Sequence, residues 1–268
     1  MNREDYFHFT NPPPTTATAN LDTVASESVY LNPSEWITVS NILHAFDTFN
    51  PLNDIRRNIQ TLLTTNQPVD HLHLLSTYSN SLQLFIGSIP DFQILTTAEK
   101  WSLLQRNILG LLSIGSLYFM REYSTIITPS YEHEIIDKLK YFCTQLDYDP
   151  IVIKLFLVIL AFSSNCFPNT YRTTFETDRV LHGTHRLFDS QNVYLEVLWK
   201  YFIHRYNFFP TIERFSRLIQ ILVKMIDLFS EIYETNDLFK HFFTELIEQI
   251  ERSPIINEQT IIPLWGNG

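Results

Sequence analysis

From Trp101 to Met120 the chain carries a single charge, Arg106, among Trp101, Leu103, Leu104, Ile108, Leu109, Leu111, Leu112, Ile114, Leu117 and Met120. At 3.6 residues per turn that spacing puts apolar side chains on nearly every side of a helix, so other elements must wrap it. Thr96-Thr97-Ala98-Glu99 marks its start as a capping box, in which Thr96 bonds the backbone at Glu99 and Glu99 reaches back. A chain with such a spine folds around it, and the remaining segments supply the wrapping.

Those segments also read as helices. Trp36, Val39, Leu43 and Phe46 recur at helical spacing behind Asn32-Pro33-Ser34, a suitable cap. A helix or pair of turns is expected over 52–63, and further helices over 68–89 (ended by Pro90), 131–146, 150–163 and 190–206. Pro210 suits the first position of the next helix. Its stripe of Phe215, Leu218, Ile219, Leu222, Val223, Ile226 and Phe229 continues, with a break near Asn236, through Phe239, Phe242, Leu246 and Ile250. Tyr123 to Ile127, β-branched and followed by Pro129, predicts a small hairpin. Residues 165–189 read as polar and irregular. Residues 1–31, with Asn11-Pro12-Pro13-Pro14 and a threonine-rich run, read as a disordered tail. The expectation is one all-helical domain over 32–268.

Composition excludes more than it assigns. Hydrophobic residues at 45% supply ample core, but a net charge of −10 and the lack of a basic block argue against self-contained nucleic-acid binding. The most apolar stretch, Ile151 to Phe162, is short and contains Lys154, so it suits a core helix and no membrane span is expected. Two cysteines, Cys143 and Cys166, fit a reducing compartment, and no secretory signal is visible. Only 6 glycines are present and no nucleotide-binding loop, serine-hydrolase elbow or zincin motif occurs. His71 and His73 would point roughly 200° apart on a helix. His182, His185 and Cys166 could ligate a metal, but a solvated loop is the simpler reading. Neither a metal nor a cofactor nor catalysis is expected.

The order of segments resembles the ligand-binding domain of nuclear receptors. Phe85, Pro90, Phe92 and Leu95, followed by Glu99-Lys100-Trp101-Ser102-Leu103-Leu104-Gln105, is similar to the family signature. There an aromatic ends the third helix, a Pro/Phe loop follows, and Asp-Gln-x-x-Leu-Leu opens the fourth. Asp149 to Phe162 resembles the apolar eighth helix. Val193 to Tyr206, then Arg214-Phe215-Ser216-Arg217-Leu218-Ile219, resembles the ninth helix and the start of the tenth. The likeness covers about 34 to 250 in order. It implies a three-layer antiparallel helical sandwich of about ten to twelve helices with at most a small β-hairpin.

The resemblance also implies sites. Steroid receptors anchor ligands with a Glu on the third helix and an Arg on the fifth, where this chain has Tyr78 and Phe119. With Leu72, Leu75, Leu109, Leu112, Ser113, Ser116, Ile232 and Thr235, these would line a pocket for a small apolar, lipid-like ligand, or ordinary core. Coactivator capture in the family uses a Lys that is Gly87 here, beside Trp101, Leu104 and Gln105, and a Glu in a last, activation helix. Ile255-Ile256-Asn257-Glu258 begins that helix's pattern and Gln259-Thr260 breaks it. Arg214, Arg217, Gln220 and Lys224 lie on the face the family uses to dimerise. Ile59-Gln60-Thr61-Leu62-Leu63 resembles the short motif that docks in receptor grooves, though the buried face of a short helix explains it as well.

The function implied is a nuclear-receptor-like domain that regulates transcription in nucleus and cytoplasm through another receptor-type domain and coregulator peptides. It would do so without binding DNA or membrane. The alternative is a ligand-free helical interaction scaffold with a filled core.

Overall fold

A computed structural model describes residues 29–50, 68–123, 133–146, 149–163 and 184–253. Among them every regular element is helical: α1 (Pro33–Phe49), α2 (Pro68–Gly87), α3 (Pro90–Gln93), α4 (Thr97–Tyr123), α5 (His133–Gln145), α6 (Pro150–Ala161), α7 (Thr184–Tyr206), α8 (Phe208–Thr235) and α9 (Asp237–Glu251). The expected helix over 52–63 and most of the expected hairpin fall outside the described residues, as do Cys166 and His182. Tyr123, the first residue of that hairpin, instead ends α4.

Local chemistry sets the boundaries. Asn32 caps α1 by accepting from the Glu35 amide at 2.9 Å, while Glu35 accepts from the Asn32 amide at 2.8 Å. Thr96 and Glu99 make the corresponding exchange at the head of α4. Asp149 accepts from the Ile151 amide to start α6, and Asn236 from the Phe239 amide to start α9. The Pro/Phe loop closes into the single turn α3, seated by Ile89 and Phe92, both fully buried.

Two starts differ from expectation. Helix α7 begins at Thr184, six residues earlier than the polar stretch suggested, because Leu187 and Ser190 already bury one face. Helix α8 begins at Phe208, so Pro210 is its third residue. A proline is tolerated there because the first-turn amides have no intrahelical acceptor.

Helix α4 occupies the centre, packed against α2, α5, α6, α8 and α9. Leu103, Ile108, Leu109, Leu111, Ile114 and Leu117 are all buried. Helix α6 is buried on almost every face and lies between α1, α4 and α7. Its one charge, Lys154, reaches out to Asp47 of α1 at 2.7 Å with its ammonium over the Phe46 ring. A second buried lysine, Lys200 of α7, holds Glu35 at 2.7 Å and Glu196 at 2.6 Å. Both ends of α1 are therefore fastened to the body by ion pairs. Cys143 packs as a small apolar residue, its thiol near the Leu117 carbonyl and pushed up to about 11 by burial.

Two side-chain amides, one from α4 and one from α7, hold the end of α6. Asn107 donates to the carbonyls of Ala161 and Ser163 at 3.2 and 2.7 Å, and Gln191 donates to that of Ile159 at 3.2 Å. These amides satisfy the last turn of α6, where no glycine provides a backbone cap. Replacing Asn107 with Ala should cost about 2 kcal/mol by stranding those carbonyls, a fall in Tm of roughly 6 °C by calorimetry.

Burial alone would raise the Glu99 pKa. Hydrogen bonds from the Thr96 amide and hydroxyl, with Arg186 at 3.0 Å from both carboxylate oxygens, outweigh it and hold the group below its usual value. The resulting stability is complete above the unfolded-state pKa, near 4.3, and is lost as pH falls through the folded-state value. A Glu99→Gln variant should therefore differ from wild type most at neutral pH and converge with it in acid, as followed by urea denaturation at each pH.

Candidate functional site

Helices α7 and α8 meet at Asn207, whose φ of 64° and ψ of 171° lie in a region suited to glycine. The turn sends α8 back along α7 and presents Phe208 and Phe209 at the corner. Phe209 is 82% exposed. Phe208, Ile212, Phe215, Ile219 and Leu222 follow one another at intervals of four and three residues, the spacing of a helix–helix seam. Phe208, Ile212, Ile219 and the neighbouring Val223 are exposed, and Phe215 and Leu222 are half-buried.

The seam runs beside α7, where Trp199 packs edge-on against Phe208 and Phe215 with ring centroids 6.4 and 5.5 Å apart. Between the two helices lies an open cleft of about 300 Å³ lined by Asn192, Leu195, Glu196, Trp199 and Phe215. The floor is apolar, with Asn192 and the Lys200-paired Glu196 providing its polar groups.

Helix α8 is thus apolar on two faces. Leu218, Ile221, Met225, Leu228, Phe229 and Ile232 enter the core. Ile219 and Val223, which the sequence groups with that stripe, instead face outward. The apolar spacing is too broad for one face, and that breadth is the signal in the sequence for an outer seam. Phe208, Phe209 and Ile212 give no signal of their own until the start of α8 is known.

The residues expected at a dimer face, Arg214, Arg217, Gln220 and Lys224, are all exposed on α8. Arg217 is paired with Glu213 at 2.7 Å, and the Arg214 guanidinium lies 4.0 Å from the Tyr206 ring centroid. By helix spacing Gln220 comes nearest to Ile219 and Val223, while Arg214, Arg217 and Lys224 lie farther round α8, turned away from the seam.

The other expected sites are placed differently. Tyr78, Leu109, Leu112, Ser113, Ser116 and Ile232 are buried. Ser113 is bonded to the Leu109 carbonyl at 2.6 Å. Leu72 and Leu75 pack at the edge of the core. Thr235, expected to face inward, is exposed on the last turn of α8 and bonds the Glu231 carbonyl, because the core face there passes through Ile232 and Tyr233. Of the coregulator set, Gly87, Trp101 and Leu104 are buried and Gln105 is half-buried. The side chain of Phe119 and residue Glu258 lie outside the described residues.

Among the described residues no group of three His, Cys, Asp or Glu is placed to hold a metal ion, and no helix is long and apolar enough to cross a membrane. His71 and His73 both fall on α2, two residues apart. No family model matches the chain, and no curated protein matches it.

Relief of the backbone at the corner should be measurable. An Asn207→Gly substitution should stabilise the chain by about 1 kcal/mol, the strain relieved exceeding the extra chain entropy of glycine, and raise Tm by roughly 3 °C.

Proposed function

We propose that the chain is a nuclear-receptor-like ligand-binding domain, built as a three-layer helical sandwich, that regulates transcription in nucleus and cytoplasm through protein partners and without binding DNA itself. The observation that carries this reading is the exposed α7–α8 seam. It is a contiguous apolar patch open to solvent, and it falls on the segments whose sequence resembles the family's dimerisation helices. The acidic net charge of −10 supports action through proteins in place of nucleic acid.

The partner is a second receptor-type domain presenting the same kind of surface. A two-fold pairing would set each seam against its copy and cover Phe208, Phe209, Ile212 and Ile219. Coregulator peptides are the other class of partner. Gly87 and Gln105 give no charged clamp for such a peptide's helix ends, so an apolar groove would have to hold it with few polar contacts.

The interior admits two readings, a space for a small apolar ligand or one filled by the protein's own side chains. The burial of Tyr78, Leu109, Leu112, Ser113, Ser116 and Ile232 favours the second. The alternative for the whole chain, a filled scaffold with no role in transcription, differs from the main reading in what the seam recognises.

Sedimentation velocity and a tethered reporter together test the proposal. Wild-type chain should sediment as a dimer at micromolar concentration, and an Ile212→Glu, Ile219→Glu double variant as a folded monomer. Fused to an unrelated DNA-binding domain, the wild type should alter reporter transcription and the double variant should not. A wild-type monomer with no effect on the reporter would favour the scaffold.

A further inference from the structure

Gly115 lies within α4, and the ring of Tyr78 from α2 rests against it. An ideally placed Cβ at Gly115 would stand 2.5 Å from the Tyr78 hydroxyl oxygen, 2.7 Å from Cε1 and 3.0 Å from Cζ. Side chains essentially never approach so closely, so the ring takes the place where any other residue would put its own Cβ. A glycine in a helix interior costs roughly 1 kcal/mol relative to Ala, and here the close approach of an aromatic ring offsets that cost. Burial of the phenol holds its proton well above the ordinary tyrosine range, so it stays neutral.

The next residue, Ser116, is also buried, and its hydroxyl makes no hydrogen bond among the described residues. Ser113, three residues earlier, bonds the carbonyl one turn back at 2.6 Å. These residues form the wall to which the receptor-like reading assigns a ligand.

We infer that the Tyr78 ring is a built-in occupant of that space: seated on Gly115, it fills from within the position beneath α4 that a small-molecule ligand would take. The domain then holds its folded shape without a small molecule, and its regulation falls to the α7–α8 surface. This role for the ring depends on the receptor-like reading; the packing of Tyr78 on Gly115 does not.

A double-mutant cycle with chemical rescue tests it on the full chain. Gly115→Ala should lower Tm by several degrees when Tyr78 is present and have little effect, or raise Tm, in a Tyr78→Ala background. Tyr78→Ala alone should lower Tm by roughly 10 °C. Millimolar p-cresol, the free side chain, should recover part of that loss, since apolar cavities of this kind take up aromatic guests, and should leave wild type unshifted. Should Tyr78→Ala fail to fold, Tyr78→Leu supplies the second background, because a leucine does not reach as far as the phenol.

Equal costs of Gly115→Ala in both backgrounds would overturn the inference. So would p-cresol stabilising wild type as much as the variant, or native mass spectrometry finding wild type with a small molecule at unit stoichiometry. Repeating the readouts in the Ile212→Glu, Ile219→Glu background removes the linkage between Tm and self-association, so failure of the dimer proposal and failure of this one are distinguishable.

Discussion

A helix with apolar side chains on nearly all sides leaves water only when other helices surround it, and α4 sets this requirement for the whole domain. Its neighbours α2, α5, α6, α8 and α9 each give it a face. Each of them must then turn its own polar side outward or be covered in turn. Helix α6 is covered in turn, by α1 and α7 as well as α4. The hydrophobic effect has no directional preference, so it draws these helices together without choosing one arrangement. Specific orientation comes from the few polar groups trapped in the process.

Those groups form joints at the places where helices end. Asn107 and Gln191 hold the last turn of α6, and Tyr201 bonds Asp149 at its first. Lys154 and Lys200 grip opposite ends of α1. In water, interactions of this kind contribute little because hydration competes with them. Inside the domain the loss of a partner from buried Lys154, Lys200 or the α6 carbonyls strands a buried group, and that penalty ties the helices to one register. Tyr78 on Gly115 orients α2 against α4 by shape in the same way that Asn107 orients α6 against α4 by hydrogen bonding.

Helix α8 serves two surfaces. Its inner face completes the cover of α4, and its outer seam, turned beside α7 by the Asn207 corner, stays in contact with solvent. A free apolar seam costs solubility, and in the function proposed above it is the surface that pairs with another domain. The same helix thus links the packing that holds the fold together with the surface proposed for its action.

Much of this was legible in the sequence. The caps at Asn32 and Thr96, the apolar circumference of α4 and the dense core character of α6 are local properties, set by side chains within a few residues of one another. Cys143 as core and Asn236 as a break are legible for the same reason. Other features depended on neighbours remote in sequence. Periodicity shows that Ile219 and Val223 are apolar and lie near a stripe, but the position of α7 decides that they stay outside. Thr235 follows the helix spacing, yet the core face ends two residues earlier, at Tyr233. The family resemblance places Tyr78 at a pocket position, where ordinary core explains it as well. Only the approach of α2 to a glycine of α4 seats its ring in the core. Sequence by itself determined which segments are helices, where capping chemistry ends them, and that one of them must be enclosed. The tertiary structure decided which apolar faces meet each other and which remain free, because burial is a property of pairs of surfaces and a single helix carries only one of each pair.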